Sequence, residues 1–218
     1  MAVVDCGLGN VAAVANMLRR AGAAPVLTAD PAVVAASSAV VLPGIGSFDA
    51  GVARLRATGM WEALLAYAPT GRPMLGVCLG MQMLAAGSEE GQEPGLGLVD
   101  AHFRRFSAPG LKVPHTGWNT IRTPITSELF DGADPDERRY YFVHSYYAVP
   151  GPDAEVLAVA DYEGEFACAY RQGNRLGVQF HPEKSHRFGL TLMRRFVVHA
   201  ATGDAVAGDP VGESARSA

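Results

Sequence analysis

Through the first 85 residues of the chain, short and almost wholly apolar runs alternate with segments of helical periodicity. Residues 2–5 read as a buried strand. Val11, Val14, Leu18 and Ala21 then recur on one face of a helix that ends near Gly22. Residues 25–27, 39–42 and 74–77 read as further buried strands, with helical segments at Pro31–Ala36, 48–56 and 61–68 between them. Buried strands that alternate with helices predict a parallel sheet covered on both faces. From about residue 96 the pattern becomes strand-rich, at 98–103, 140–145, 155–162, 166–171 and 175–180, so a mixed or antiparallel region is expected there. A last helix over about 189–201 carries Leu192, Phe196 and His199 at spacings that pack it back on the sheet. The expected fold is therefore α/β: a mostly parallel central sheet flanked by helices, with an additional antiparallel strand region. One domain over residues 1–203 is expected, and the small, polar residues 204–218 read as a disordered tail.

Composition narrows the class. No run approaches the ~18 unbroken apolar residues that span a bilayer, and the first residues read as a strand rather than a basic and apolar leader, so the expectation is a cytoplasmic protein. Cys6, Cys78 and Cys168 form no C-x-x-C pair, which argues against a disulfide framework and a zinc knuckle. The formal charge of −4 gives no electrostatic footprint for nucleic acid. The six histidines show no ligand spacing and no phosphate loop is present, so neither a metal nor a cofactor is expected.

The chemistry starts at Gly76-Val77-Cys78-Leu79-Gly80. Cys78 falls where an apolar strand gives way to helical spacing, and the glycines on either side would let the backbone bend sharply and a substrate approach closely, as in the G-x-S-x-G elbow. Taken alone, the segment supports a buried structural cysteine equally well. A nucleophilic cysteine needs a base, and the base needs an orienting partner. Gln179-Phe180-His181-Pro182-Glu183 supplies both: proline keeps His181 extended, and in an extended chain His181 and Glu183 point to the same side. The N–H of Leu79, just after the nucleophile, is the expected first donor to a developing oxyanion, and the glycine-rich loop 42–48 is a candidate for the second.

G-V-C-L-G-M-Q together with Q-F-H-P-E resembles the class I glutamine amidotransferases, whose glutaminase domains use a Cys-His-Glu triad. More narrowly, the chain resembles the glutaminase subunits of imidazole glycerol phosphate synthases up to about residue 203. The blocks are D-C-G-L-G-N at 5–10, L-P-G-I-G-S-F at 42–48, K-V-P-H-T-G-W-N at 112–119, Y-F-V-H-S-Y-Y at 141–147 and G-V-Q-F-H-P-E-K-S at 177–185. The resemblance implies a flavodoxin-like fold and hydrolysis of L-glutamine through a Cys78 thioester, with His181 as base and acid and Glu183 orienting it. It matches Gly44, Ile45 and Gly46 to an oxyanion strand, and Gln82, Ser145 and Tyr146 to positions that hold glutamine. It further implies a heterodimer in which ammonia passes to a (β/α)8-barrel synthase subunit, with Asn10, Trp118, Asn119, Tyr141 and Lys184 at or near the contact. The plain alternatives, which differ in strength, are that Trp118 is core and that Lys184 is an ordinary surface lysine.

Two departures stand out. Cys6 replaces the usual tyrosine of the first block, and 46–49 with 185–189 also resemble paralogues that feed ammonia to enzymes aminating surface-polysaccharide sugars. A cysteine peptidase on a similar scaffold is the competing enzyme reading, disfavoured by Gln82 and the H-P-E block. A binding subunit without catalysis is disfavoured because every triad position is filled.

Overall fold

The computed structural model describes residues 1–107, 110–130, 138–162 and 164–202; the tail expected over 204–218 lies outside them. The first half of the chain runs β1 (Ala2–Val4), α1 (Val11–Arg20), β2 (Val26–Thr28), α2 (Pro31–Ala36), β3 (Val40–Gly44), α3 (Phe48–Ala57), α4 (Met60–Tyr67), β4 (Met74–Cys78) and α5 (Leu79–Leu84). The side chain of Asn10 starts α1 by accepting the Ala13 N–H at 3.2 Å. Asp30 caps α2 in the same way ahead of Pro31, whose fixed φ suits the first helical turn.

The second half contributes β5 (Gly87–Ser88), β6 (Ala101–Arg105), β7 (His115–Arg122), β8 (Arg139–His144), β9 (Tyr146–Pro150), β10 (Glu155–Asp161), β11 (Glu165–Gln172), β12 (Arg175–Val178) and α6 (His186–Thr202). The strands join in the order β2-β1-β3-β4-β12-β11-β10-β7-β8, with β5, β6 and β9 branching from β11. β2, β1, β3, β4 and β12 are parallel, a flavodoxin-like order in which the last strand of the chain returns beside β4. β12, β11, β10, β7 and β8 pair antiparallel. Pleating splits the core. Val3, Val41, Leu75 and Val77 pack toward α1 and α6, whereas Ala2, Val4, Val40, Leu42 and Met74 pack toward α3, α4 and α5.

The α/β architecture and the two-part sheet agree with the sequence pattern, and several details differ. β2 is an edge strand rather than a buried one, with Val26 and Leu27 exposed, because β1 covers only one of its sides. The strand expected from 98 starts at Ala101, and the one expected to reach 180 stops at Val178. The last helix begins at His186, and β7 and β9 were not apparent from periodicity. β7 reads HTGWNTIR, with a positive-φ glycine and several polar residues, because its faces are only partly buried.

Candidate active site

The chain passes from β4 into α5 at one residue. Cys78 takes φ 54° and ψ −111°, a sparsely populated conformation that costs a non-glycine residue about 1–3 kcal/mol and persists only where the surroundings enforce it. The flanking glycines serve differently from the sequence expectation. Neither Gly76 nor Gly80 has positive φ. A Cβ on Gly80 would sit 1.7 Å from the Leu42 carbonyl oxygen, and one on Gly76 would sit 2.7 Å from the Met81 nitrogen. The glycines therefore let α5 lie directly on the strand backbones, while Cys78 itself makes the bend.

His181 follows β12 in an extended conformation, with φ −101° and ψ 97°. Its N–H donates to the Tyr141 carbonyl at 2.9 Å. Ser185 completes the clamp: its hydroxyl donates to the His181 carbonyl at 2.6 Å and accepts the Tyr141 N–H at 3.0 Å. Strand β8 thus fixes the backbone of this loop. His181 Nδ1–H donates to Glu183 Oε1 at 2.8 Å, and the imidazole lines the same cavity as Cys78. The expected pairing is present through a different geometry, since Pro182–Lys184 forms a 3-10 turn rather than extended chain. Burial alone would lower the His181 pKa, but the hydrogen bond to Cys78 and the Glu183 carboxylate outweigh it and raise it to about 9.

A further residue meets the thiol. Gln179 is wholly buried and its Nε2 donates to Cys78 Sγ at 3.7 Å, while its Oε1 accepts from Gln82 Nε2 at 3.3 Å. Gln179 opens the Q-F-H-P-E block, and its place two residues before His181 is the only sequence signal for this contact.

A cavity of about 350 Å³ opens over this cluster, lined by Cys78, Gln82, Glu90, Ser145, Tyr146 and His181 together with Ile45, Gly46, Leu79, His144 and Lys184. In-register pairing of Gly44 with Cys78 puts the Ile45–Gly46 turn beside the nucleophile, and Gly46 has φ 106°. Glu90 was not foreseen from the sequence. Its carboxylate accepts the Phe48 N–H at 3.1 Å, and burial raises its pKa. A smaller void of about 10 Å³ touches His181, Glu183 and Asn10.

Trp118, Tyr141 and Lys184 come together on one surface. Trp118 is 39% exposed, so it is not core; it stacks on His186 at 5.5 Å and meets the edge of Tyr141 at 6.0 Å. Lys184 Nζ lies 5.9 Å from the Tyr141 ring. Asn119 is set apart from them: one strand residue on from Trp118, its side chain turns to the other face and donates to the Asp161 carbonyl at 2.8 Å. Cys6, at the departure from the usual tyrosine, is buried with Sγ 3.3 Å from the Thr58 hydroxyl. Among the described residues no group of His, Cys, Asp and Glu is arranged to hold a metal ion, and no helix is long and apolar enough to cross a membrane.

The profile of the family described as glutamine amidotransferase class-I matches residues 2–200. Imidazole glycerol phosphate synthase subunit HisH 2 of Methanococcus maripaludis is 40% identical over 202 residues, covering 92% of this chain and 100% of the relative. Subunit HisH of the same synthase from Moorella thermoacetica is 44% identical over 197 residues, covering 90% of this chain and 93% of the relative. A crystal structure of a glutamine amidotransferase superposes with a TM-score of 0.70 at 21% identity, covering 92% of this chain and 98% of that one; this likeness concerns the fold alone.

Proposed function

The chain belongs to the class I glutamine amidotransferase family, and from that premise we propose that it works as the glutaminase subunit of imidazole glycerol phosphate synthase in histidine biosynthesis. The relatives carry that synthase's name, so a surface-polysaccharide role is not favoured. The carrying observation is that the Cys78 thiol and the buried His181 imidazole line one cavity, with His181 held at 2.8 Å by the Glu183 carboxylate.

In this reading residues 1–203 act as one amidotransferase domain. His181 takes the Cys78 proton, and the thiolate attacks the carboxamide carbon of glutamine. The carbonyl oxygen becomes negative against the Leu79 N–H and an N–H of the Ile45–Gly46 turn. His181 returns the proton to the departing nitrogen, so ammonia leaves and a Cys78 thioester remains. Water, activated by the now neutral imidazole, then adds to the thioester; glutamate leaves and the thiol is restored. Gln82 and the Ser145–Tyr146 turn hold the substrate. Glu90, the carboxylate on the cavity wall, serves as counter-ion to its α-ammonium group. Ammonia passes to a (β/α)8-barrel synthase partner docked on the Trp118, Tyr141 and Lys184 face. No cofactor enters these steps.

The test is Cys78→Ala in the complex with that partner. Glutamine-dependent synthesis should vanish while ammonium-dependent synthesis persists, because added ammonia bypasses the thiolate. Glutamine hydrolysis near the parent rate would remove Cys78 from the mechanism. Glutamate release should also rise from the free chain to the complex, and again when the partner binds its acceptor; equal rates in all three states would refute control by the partner.

A further inference from the structure

Two buried histidines take no part in the chemistry above. His115 and His144 face each other in register across the β7–β8 ribbon, with His115 Nδ1 and His144 Nε2 2.9 Å apart. His144 Nδ1 lies 2.7 Å from the Tyr146 carbonyl oxygen, and His115 Nε2 lies 3.3 Å from Asn119 Nδ2.

The direction of every bond in this chain is forced from both ends. A carbonyl oxygen can only accept, so His144 Nδ1 carries a proton. At the far end the Asn119 amide cannot be flipped, because its Oδ1 accepts the Thr120 N–H at 2.8 Å and its Nδ2 donates to the Asp161 carbonyl at 2.8 Å. Nδ2 therefore donates its second hydrogen to His115 Nε2, which must be bare. His115 Nδ1–H then donates to a bare His144 Nε2. A proton added to His115 Nε2 would confront the Asn119 donor, and one added to His144 Nε2 would reverse the middle bond. Burial acts in the same direction, depressing the His115 pKa to about 4 and, against the opposing hydrogen bond to the Tyr146 carbonyl, that of His144 to about 3.

The acceptor at the end of this chain belongs to the substrate cavity. His144 closes β8, Tyr146 opens β9, and both border the cavity with Ser145 between them. We propose that His115 and His144 form a neutral, one-directional hydrogen-bond relay, anchored at Asn119, that holds the Tyr146 carbonyl and so sets the Ser145–Tyr146 turn in the geometry that receives glutamine. Both are positioning residues, and the inference rests on the glutaminase reading of the cavity.

His144→Phe preserves the ring among Phe106, Phe142 and Phe166 but deletes the donor to Tyr146. His144→Asn restores an amide N–H close to the lost Nδ1. With the barrel partner present, His144→Phe should raise KM for glutamine about tenfold or more with a smaller change in kcat, and should leave ammonium-dependent synthesis intact. His144→Asn should recover most of the loss. His115→Phe, stacked as before on Phe142 and Tyr162, should act in the same direction more weakly. An unchanged KM in His144→Phe, equal damage in His144→Asn, or a parallel fall in ammonium-dependent synthesis would overturn the proposal.

Imidazole nitrogen NMR of the wild-type chain supplies a readout without substrate. Both rings should be neutral and protonated at Nδ1 from about pH 5 to pH 9; an Nε2–H tautomer or a charged ring at either position would also overturn it. A wild-type complex that failed to hydrolyse glutamine would defeat the glutaminase reading instead, and the tautomers would still decide the relay.

Discussion

Replacing Glu183 with glutamine removes one negative charge while leaving an acceptor within reach of His181 Nδ1. The pair sits 2.8 Å apart, with side chains 3% and 9% exposed for His181 and Glu183, so solvent screens the interaction little. His181 is held at about 9 against an ordinary 6.5. That difference corresponds to roughly 3 kcal/mol in favour of the imidazolium, shared between Cys78 and Glu183 and net of the opposing cost of burial. A hydrogen bond to a charged group contributes about 1.5–3 kcal/mol, so Glu183 supplies a substantial share of the support, second to Cys78. Losing it should slow the steps that require imidazolium by about 10- to 150-fold. His181→Ala should fall further, since it loses the base and the acid together. The assay is steady-state glutamate release by the complex at saturating glutamine, with alkylation of Cys78 by iodoacetamide as a second readout. Alkylation should slow in Glu183→Gln as well, because the imidazole that takes the thiol proton loses its supporting carboxylate. Turnover within threefold of wild type, or a Glu183→Gln variant slower than His181→Ala, would refute this account of the triad.

Other parts of the structure give equally definite expectations. His181 should titrate by NMR near 9 in the wild-type chain and lower in Cys78→Ala, because the thiol is the leading group that raises it. By linkage, the contribution of His181 to stability is fully present below about pH 6.5 and is lost as pH rises through about 9; the unfolding midpoint of the wild type should therefore drop more across that window than that of His181→Gln. Gly80→Ala places a Cβ 1.7 Å from the Leu42 oxygen, so α5 must move off the strands; a stability loss of about 1–3 kcal/mol and a loss of turnover should appear together in calorimetry and glutaminase assays. Arg171→Met leaves the Glu128 carboxylate, which is 4% exposed, without its ion-pair partner and should cost about 3–5 kcal/mol in urea unfolding, whereas the exposed Arg122–Glu165 pair should matter little.

What the sequence disclosed follows from what burial writes into it. Strands of the parallel half are buried on both faces, so Val40–Gly44 and Met74–Cys78 read as apolar runs. The elbow and the H-P-E turn were legible because their chemistry is local: Cys78 marks a strand-to-helix junction, and Glu183 reaches a histidine two residues away. The antiparallel half was harder. His115–Arg122 alternates between core and solvent with a glycine and an asparagine inside it, and nothing local says that its histidine faces another 29 residues on. Gln179 and Glu90 escaped for the same reason, since a buried amide or a half-buried carboxylate declares its purpose only when the thiol or the cavity beside it is in place.

The β7–β8 ribbon connects these two levels. Its strands pair His115 with His144 and Trp118 with Tyr141, and the period of two puts the histidines on the inner face and the aromatic pair on the outer one. The inner face holds the Tyr146 carbonyl through the histidines, and the Tyr141 carbonyl receives the His181 N–H. In the proposed reading, a partner that docks on Trp118 and Tyr141 would press on a two-stranded element that is hydrogen-bonded both to the Tyr146 carbonyl and to the His181 N–H. Tight docking alone changes nothing at the site. Stimulation requires the partner to fit one placement of the ribbon better than another, and the size of that preference sets the largest rate change it can produce.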